Sequence, residues 1–332
     1  MDQRLRVAVV GTGAWWGYHH ARVFGGRPDV ELCAIVGRDP GRTAERAERF
    51  RTRSYVDISE MLDRERPDLV SVCLPNEGHF APTLDIIRAG YPLFVEKPLV
   101  FDLDEAKTLL TEAEQRGLFF AINFNHRYAK PVQLAAEAVA HGDLGRLVFA
   151  TWRFGGEVGT SAHPYANLIE TQCHGLDMLE HLCGRIASVM AQMTDATGHG
   201  MSTLAVALQF DSGAVGSLVG TYDSSYAYPA THLVEINGTD GRVLIEDTVR
   251  RYSFHAKGDE VGRFWQAGYF NDTDRDFHAT FDRHVDDVLA AFRAGKPPPI
   301  HAEAGLRALV LAHGIIRSYE TGARVATPWT AP

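Results

Sequence analysis

A lysine stands in the run Glu96-Lys97-Pro98, directly after the short apolar segment Pro92–Val95. The proline favours an extended backbone at Lys97, which aims the ammonium group with less freedom than an open loop allows. An ammonium held in this way polarises a carbonyl group or stabilises a developing alkoxide. Because a lysine at a strand end is more often a solvated charge, this interpretation depends on the elements around it.

A second group of chemistry-bearing side chains lies in Leu168–Leu182, which the sequence predicts to be one α-helix. Glu170, His174 and Asp177 are spaced at i, i+4 and i+7, so a helix places all three on one face. A histidine titrates near neutral pH and suits a general base that removes a hydroxyl proton. We predict His174 as that base, with Glu170 or Asp177 orienting the ring or binding a substrate hydroxyl. The alternative is a solvated polar stripe with a structural histidine.

The amino-terminal stretch supplies a candidate anion site. Val7–Val10 is typical of a buried parallel strand, and it leads directly into Gly11-Thr12-Gly13. Two glycines one residue apart allow a tight turn and the close approach of a pyrophosphate, which the N-terminus of a following helix attracts. Trp16 stands at the sixth position of G-x-G-x-x-G and Gly17 one place later, which a changed loop length or a bulkier strand–helix contact would explain. The predicted cofactor turn comprises Gly11, Thr12, Gly13, Ala14, Trp15 and Trp16.

The second predicted strand, Val30–Val36, ends at Gly37-Arg38-Asp39. In NAD-selective folds an acidic residue at this strand end binds the adenosine ribose hydroxyls. Here Arg38 can pair with a 2′-phosphate, although Asp39 could still serve the ribose. We therefore expect NAD(P) as the cofactor, with a preference for NADP.

Alternation of strands and helices predicts an α/β domain over residues 1–122, a doubly wound parallel sheet of the Rossmann type. Its further helices are expected at Thr43–Phe50, Asp57–Arg64, Phe80–Ala89 and Asp104–Arg116, and its further strands at Asp68–Leu74, Pro92–Val95 and Leu118–Asn123. Ligands bind such sheets beyond the carboxyl ends of the strands. The polar or glycine residues that fall there are Gly11, Arg38, Asn76, His79, Glu96, Lys97 and Asn123.

The pattern of strands and helices changes over residues 123–332 and predicts an α+β domain with a large, mostly antiparallel open sheet. Five or six strands are expected, at Arg146–Phe154, Ala187–Met193, Thr203–Phe210, Ala214–Tyr222, Thr231–Asn237 and Arg242–Glu246. Helices are expected at Pro131–His141, Phe277–Arg293 and Glu303–Glu320. So few helices cover only one face of the sheet, and the other face must meet solvent or another subunit.

These motifs together resemble the Gfo/Idh/MocA superfamily (glucose–fructose oxidoreductase, inositol dehydrogenase, rhizopine catabolism). The resemblance is carried by Val9-Val10-Gly11-Thr12-Gly13, Leu74-Pro75-Asn76 with His79, Glu96-Lys97-Pro98, Asn125-His126-Arg127-Tyr128 and Leu144-Gly145-Arg146. It implies oxidation or reduction of a sugar, cyclitol or related polyol, with substrate bound and subunits paired through the second domain as a homodimer or homotetramer. It also implies that Leu74, Pro75, Asn76, His79, Glu96 and Lys97 contact the nicotinamide cofactor.

Helix Leu168–Leu182 fits the superfamily's acid-x-x-x-His-x-x-Asp pattern, with Glu170 where Asp is more usual and Gln172 where Gly is common. Further substrate contacts are expected from side chains that suit a sugar, because a sugar stacks its C–H face on a ring and pairs its hydroxyls. These residues are Asn125, Arg127, Trp152, Arg153 and Tyr165, beside Lys97, His174 and Asp177. Trp152, in an alternating strand, is equally typical of a core.

His174, Asp177 and His181 could be drawn as a metal site, but no convincing further ligand follows from the sequence, and we predict no metal. The pair His19-His20 is expected to cap the first helix or lie on its surface.

Composition limits the remaining possibilities. The chain has 332 residues, 45% hydrophobic and 23% charged, with a formal net charge of −9, which argues against nucleic-acid or membrane partners. The start MDQRLR lacks the apolar core of a signal peptide. Four cysteines without C-x-x-C spacing suit reduced thiols in a cytoplasmic protein.

The expected activity is hydride transfer between NAD(P) and a secondary alcohol or ketone of a polyol or sugar. Two alternatives stay open. One is a nucleotide-sensing regulator without turnover, which would not need Lys97 and His174. The other is a glycosidase that oxidises its sugar transiently, eliminates, and then reduces it again.

Overall fold

A computed structural model describes residues 4–75, 78–156, 162–198 and 200–329. The chain divides into two compact units. The first runs to Asn123 and takes in Val285–Leu306, and the second comprises Phe124–His284 and the residues from Arg307 onward. The sequence predicts one boundary after residue 122 and assigns everything beyond it to the second domain, and that division stays a prediction; in the structure Val285–Leu306 groups with the first unit.

Backbone pairing explains why Val285–Leu306 belongs to the first unit. The N–H of Ile122 donates to the carbonyl of Ile300 at 3.1 Å, and the N–H of Ala302 donates to the carbonyl of Phe120 at 2.9 Å. The segment thus satisfies an edge strand that would otherwise leave its hydrogen-bonding groups open. The local pattern of the sequence does not predict such a long-range pairing.

The first unit is built on six parallel strands in the order β3-β2-β1-β4-β5-β6. The strands are β1 (Leu5–Val10), β2 (Val30–Val36), β3 (Arg53–Tyr55), β4 (Leu69–Val72), β5 (Leu93–Glu96) and β6 (Phe120–Asn123). Residues 7–10 are at most 1% exposed, as expected for a strand covered on both faces. The predicted doubly wound parallel sheet is confirmed; β3 is too short to have been predicted.

Five helices connect these strands: α1 (Trp16–Gly25), α2 (Pro40–Arg49), α3 (Ile58–Glu65), α4 (Phe80–Arg88) and α5 (Leu103–Gln115). Aspartates set several of their starts. The side chains of Asp39, Asp57 and Asp102 accept hydrogen bonds from backbone N–H groups in the first turns of α2, α3 and α5. Helix α2 therefore begins three residues before its predicted start at Thr43.

The second unit is built on nine strands in the order β14-β13-β12-β11-β7-β10-β9-β8-β15. The strands are β7 (Leu147–Gly155), β8 (Ile186–Thr194), β9 (Thr203–Phe210), β10 (Val215–Thr221), β11 (His232–Gly238), β12 (Gly241–Glu246), β13 (Arg251–Ala256), β14 (Arg263–Gln266) and β15 (Val325–Ala326). Among the strands that the structure describes here, β7 and β10 alone pair in parallel, so the mostly antiparallel sheet is confirmed. The expected number of five or six strands is too low, because β14 and β15 are short edge strands and β13, next to the edge, contains charged and polar residues that weaken the alternation.

Helical elements precede the strands of this sheet or lie between them in the chain. They are a 3-10 turn (Asn125–Tyr128), α6 (Lys130–Ala140), a π-helical turn (Asn167–Thr171), α7 (Cys173–Cys183), α8 (Asp272–Arg275), α9 (Ala279–Arg293) and α10 (Glu303–Thr321). Of these, α6, α7, the π-helical turn and α10 contact its strands. Inward-facing Trp152, Leu218 and Val234 are buried, while Val215 and Met190 on other positions of the sheet are about half exposed. Within the described ranges, no helix is both long and apolar enough to span a membrane.

Candidate active site

The turn that follows β1 and the helix after it require glycine at two positions, Gly11 and Gly17. Gly11 has φ +134°, and a Cβ there would lie 2.4 Å from the carbonyl oxygen of Cys73. A Cβ on Gly17 would lie 2.9 Å from the carbonyl oxygen of Gly11. Gly17 thus provides the close contact between helix and strand that the third glycine of the fingerprint makes. Of the two explanations left open by the sequence, a loop longer by one residue is correct.

The extra residue leaves the outer side of the turn open. Gly13, Ala14 and Trp15 are exposed, and a Cβ on Gly13 would have no neighbour closer than 4.0 Å. Helix α1 begins at Trp16, so its first N–H groups point toward the turn. Bare backbone at a helix N-terminus is what a pyrophosphate requires, and the turn therefore fits a dinucleotide.

A pocket lies beside this turn at the carboxyl ends of β1, β2 and β4. Its lining consists of apolar side chains, small residues and one guanidinium: Val10, Val36, Gly37, Arg38, Val56, Ile58, Leu74, Pro75, Gly78 and Pro82. Three predicted cofactor residues, Arg38, Leu74 and Pro75, are thus brought together. The composition of the walls suits an apolar ring that carries a negative group at one edge. Asn76, also predicted to contact the cofactor, lies outside the described residues.

A buried network of hydrogen bonds precedes Lys97 at the end of β5. Glu96 Oε1 accepts a hydrogen bond from Asn123 Nδ2 at 2.6 Å and lies 2.8 Å from His20 Nε2, while His20 Nδ1 lies 2.7 Å from Ser71 Oγ. All four side chains are buried. Because a carboxylate oxygen only accepts, Nε2 of His20 carries the proton in this arrangement. The network fixes Glu96 and the adjoining backbone, from which the half-buried Lys97 extends. The predicted contact of Glu96 with the cofactor stays a prediction.

The expected surface or capping position of His20 is wrong, because His20 shares the buried face of α1 with Gly17, Ala21 and Phe24. Spacing at i, i+3, i+4 and i+7 from Gly17 was the available signal. Ser71, inside a buried strand, offered no comparable signal.

His79 lies at the start of α4 and is buried. Burial lowers the pKa of His79, while the charge of Glu96 and the backbone of Pro98 and Leu99 oppose that shift, so the ring is neutral near pH 7. The predicted turn at His79 therefore lies beside the loop that begins at Lys97. A neutral ring there can donate one hydrogen bond and accept another.

In the second unit, the predicted helix Leu168–Leu182 is interrupted. The N–H of Gln172 donates to the carbonyl of Asn167 at 2.9 Å, five residues back, which makes Asn167–Thr171 a π-helical turn ahead of α7. The Gln172 side chain stabilises this break, since Nε2 donates to Asn167 Oδ1 at 3.0 Å and Oε1 accepts from Trp152 Nε1 at 2.9 Å. The hydrogen bonds of the Gln172 side chain with Trp152 and Asn167 therefore favour the π-helical turn over a continuous α-helix in this segment.

The three predicted residues of this segment are all buried. Glu170, His174 and Asp177 are 6%, 6% and 7% exposed. The alternative of a solvated polar stripe is therefore wrong. The imidazole of His174 stacks on that of His126, with ring centroids 3.9 Å apart and planes 9° apart, and meets the edge of Phe124. His126 was not singled out by the sequence, and its motif gives no sign of the stack.

Asp177 forms a bidentate ion pair with Arg127. Arg127 Nε donates to Asp177 Oδ2 at 2.8 Å, and Nη2 donates to Oδ1. Burial raises the pKa of Asp177 and the guanidinium opposes that shift, so the carboxylate depends on its partner to stay charged. The substrate contacts predicted for both residues stay predictions, while the structure shows that each neutralises the other.

Two predicted substrate residues are placed differently by the sheet. Trp152 is 1% exposed, its N–H is bound to Gln172, and α7 lies against its ring at Gly175. It is a core residue and offers no stacking face to a sugar. Arg153 follows it on the strand and therefore points to the opposite face, where Nη2 donates to the carbonyl of Ala230. The burial of Trp152 agrees with the alternative of a core residue, and the substrate contacts predicted for both residues stay predictions.

The last two substrate candidates have protein partners. Asn125 is buried and donates from Nδ2 to Thr280 Oγ1 at 2.7 Å, and the Tyr165 hydroxyl lies 3.1 Å from Glu320 Oε1. Their contacts with substrate stay predictions. In the part of the chain that the structure describes, no three His, Cys, Asp or Glu side chains are grouped as metal ligands.

A parallel sheet in the order 3-2-1-4-5-6, with a glycine turn and an apolar pocket at its carboxyl edge, defines a dinucleotide-binding domain. The model of an oxidoreductase family with an NAD-binding Rossmann fold matches residues 5–124, and that of its C-terminal alpha/beta domain matches residues 137–327. The chain belongs to the Gfo/Idh/MocA family of oxidoreductases. The predicted family, its fold class and an NAD(P)-dependent oxidoreductase are confirmed.

Several characterised proteins are similar over part or all of the chain. The D-glucoside 3-dehydrogenase of Escherichia coli (strain K12) is 34% identical over 150 residues, covering 45% of this chain and 43% of that protein. The myo-inositol 2-dehydrogenase of Thermotoga maritima is 24% identical over 334 residues, covering 95% and 96%. A levoglucosan dehydrogenase in complex with NADH and levoglucosan superimposes with a TM-score of 0.89 at 20% identity, covering 98% of this chain and 100% of that one. At that identity the superposition shows the fold.

Proposed function

We propose that this chain transfers a hydride between a nicotinamide cofactor and a secondary alcohol or ketone of a sugar or cyclitol. The observation that carries the proposal is the place of Lys97, one residue beyond β5, at the sheet edge that also holds the glycine turn and the pocket. The substrate class is supported by relatives whose names are D-glucoside 3-dehydrogenase, myo-inositol 2-dehydrogenase and D-xylose 1-dehydrogenase.

The proposed chemistry divides between two side chains. Lys97 stabilises the alkoxide that develops as the hydroxyl loses its proton, and His174 receives that proton. The bound nicotinamide supplies the hydride acceptor. Glu170, buried four residues before His174, is proposed to orient the substrate or the imidazole. Burial of Glu170 and His174 keeps water from competing for these groups.

The proposal is tested with purified full-length protein, NAD and NADP, and a panel of sugars, glycosides, inositols and polyols, read by absorbance of the reduced cofactor. Lys97→Ala and His174→Asn are expected to lower kcat by about 100-fold or more, with cofactor affinity within a few-fold. Exposed Lys107→Ala and His141→Ala are matched controls and should keep wild-type rates. Wild-type kcat in either site variant would reject the roles assigned here. Cofactor binding without net reduction would instead favour a regulator or a redox-neutral glycosidase.

We further propose that NADP is preferred over NAD. The place of the ribose-binding acid is taken by Gly37, where a Cβ would lie 2.6 Å from Thr12 Cγ2 and 2.5 Å from Thr43 Oγ1. The neighbouring Asp39 caps α2, accepting a hydrogen bond from the N–H of Arg42 at 2.9 Å. With the carboxylate engaged there, the exposed Arg38 at the pocket is the group that suits a 2′-phosphate.

Arg38→Ala tests the cofactor preference. A charge-assisted hydrogen bond contributes about 1.5–3 kcal/mol, so NADP affinity should fall about 10- to 100-fold while NAD affinity changes little. Arg49→Ala, at the C-terminal end of helix α2, is the matched control and should leave the affinities for NAD and NADP unchanged. Equal losses for NAD and NADP in Arg38→Ala would contradict a contact with the 2′-phosphate.

We also propose a homodimer or homotetramer formed through the nine-stranded sheet. Support comes from apolar or small side chains that the helices leave uncovered, among them Met190, Val215 and Val219, exposed by 47%, 56% and 38%. Light scattering after size exclusion should give two or four chains per particle, and Val219→Arg should shift the population toward the monomer. A monomer in the wild-type protein would reject this proposal.

The proposed compartment is the cytoplasm. Support comes from four cysteines that are free thiols, of which Cys33, Cys73 and Cys173 are buried.

A further inference from the structure

The second unit contains a cofacial pair of buried imidazoles. His126 lies in the 3-10 turn Asn125–Tyr128 and His174 in α7, and their ring centroids are 3.9 Å apart with planes 9° apart. Both rings are buried, at 4% and 6% exposure. Phe277 meets His126 edge-on at 5.2 Å, and Phe124 meets His174 edge-on at 5.8 Å. Each imidazole thus stacks on the face of its partner and makes a T-shaped contact with a phenylalanine ring.

This arrangement restricts both the orientation and the charge of His174. A ring stacked at van der Waals distance cannot rotate about its last torsion without displacing its partner. Two imidazolium rings at this separation would repel strongly, because burial leaves little water to screen them. The geometry therefore admits one protonated ring at most.

The charged and titratable groups around the pair leave this restriction in place. On the 3-10 turn and α7, Arg127 and Asp177 neutralise each other, which leaves Glu170, on the π-helical turn, as one carboxylate whose charge can balance one protonated ring and not two. On β11, His232 is neutral, since burial lowers its pKa to about 3. Beside Phe277 stand Asp276 and His278, which form an ion pair with each other when the histidine is protonated. On β7, Arg153 points to the other face of the sheet.

We propose that His126 is a positioning residue for His174: the stack fixes the plane of the base and limits the two rings to one proton between them. The inference rests on the proposed function of His174 as general base. When His174 takes the hydroxyl proton, His126 must be neutral. Protonation of either ring at low pH therefore stops turnover. The fall of kcat/KM at low pH then reflects protonation of the pair and not of His174 alone.

Two substitutions of His126 distinguish the effect of its planar ring from the effect of its ability to bind a proton. His126→Leu removes the stacked plane and should lower kcat by about tenfold or more with KM within twofold, because the base loses its orientation. His126→Phe keeps a flat ring but cannot be protonated. It should keep more of the wild-type kcat at pH 8 than His126→Leu does, and it should raise the ratio of kcat/KM at pH 5.5 to that at pH 8 by about twofold or more, because one of two proton sites is gone.

His284→Phe is the matched control, because His284 is a buried histidine stacked on Tyr128, 4.6 Å away, and not on His174. It should leave kcat and the acid limb unchanged. Thermal unfolding of every variant shows whether it is folded. If either His126 variant does not fold, histidine NMR on the wild-type protein gives the second measurement: the two rings together should take up one proton between pH 8 and pH 5. Uptake of two protons would overturn the proposal.

Three further outcomes would overturn it: wild-type kcat in His126→Leu, equal losses in the leucine and phenylalanine variants, or an unchanged acid limb in His126→Phe. Failure of the underlying function looks different. Full activity of His174→Asn rejects His174 as the base whatever His126 does, whereas loss of activity in His174→Asn with no effect of His126 rejects only the positioning role.

Discussion

His284 should make the protein less stable as the pH falls below 6.5. The ring is fully buried and stacks on Tyr128 with centroids 4.6 Å apart. Burial lowers its pKa from 6.5 to about 3, and the charge of Arg127 acts in the same direction. In the unfolded chain the same ring titrates near 6.5. Below that pH the unfolded state therefore binds a proton that the folded state refuses, and the free energy of unfolding declines until about pH 3.

The size of the effect follows from the two pKa values. Between pH 8 and pH 5 the unfolded ring gains its proton almost completely and the folded ring does not, which costs about 2 kcal/mol of stability. His284→Phe keeps the stacked ring and removes the proton site. The variant should therefore lose about 2 kcal/mol less than the wild type over this interval.

Urea unfolding at pH 8 and pH 5 measures this difference, since each protein is compared only with itself at the second pH. His232, whose pKa is also lowered to about 3, remains in both proteins, so the variant still loses stability on acidification. His141→Phe, at an exposed site, is the control and should follow the wild type. Parallel losses in wild type and His284→Phe would refute the reasoning, because they would show that the buried ring does accept a proton.

Two further predictions concern the glycine turn and the buried ion pair. Gly17→Ala should weaken cofactor binding about tenfold or more, because its Cβ would lie 2.9 Å from the backbone of Gly11, whereas Gly41→Ala, with no contact under 3.5 Å, should bind normally in the same calorimetric titration. Arg127→Met should cost about 3–5 kcal/mol in urea unfolding because Asp177 stays buried without its partner, and adding Asp177→Leu should recover most of that loss. An unchanged cofactor affinity in the first case, or a double variant no more stable than Arg127→Met, would contradict these explanations.

The sequence predicted what depends on short-range patterns. Alternating strands and helices gave the Rossmann sheet, and the positions of Gly11, Lys97 and His174 followed from local motifs. What it missed depends on residues far apart in the chain. The segment Val285–Leu306 joins the first unit through backbone pairing with β6, more than 170 residues earlier, and no periodicity encodes that pairing.

The surroundings of two predicted substrate residues could not be derived from the sequence for a related reason. Trp152 and Arg153 are neighbours, and the amphipathic pattern of β7 could tell that they face opposite sides but not which side α7 covers. The π-helical turn was missed because it depends on Gln172 binding Trp152, a partner on a strand 20 residues away. A helical propensity summed along Leu168–Leu182 contains no information about that contact.

The two proposed catalytic side chains have one feature in common: each comes within two residues after a buried polar side chain whose hydrogen bonds fix the local backbone. Lys97 follows Glu96, which is bound by His20 and Asn123. His174 comes two residues after Gln172, which is bound by Trp152 and to Asn167. Buried hydrogen bonds are costly to break, so they hold the neighbouring reactive group to a narrow range of positions. A lysine or histidine on an ordinary loop or helix surface would lack this constraint.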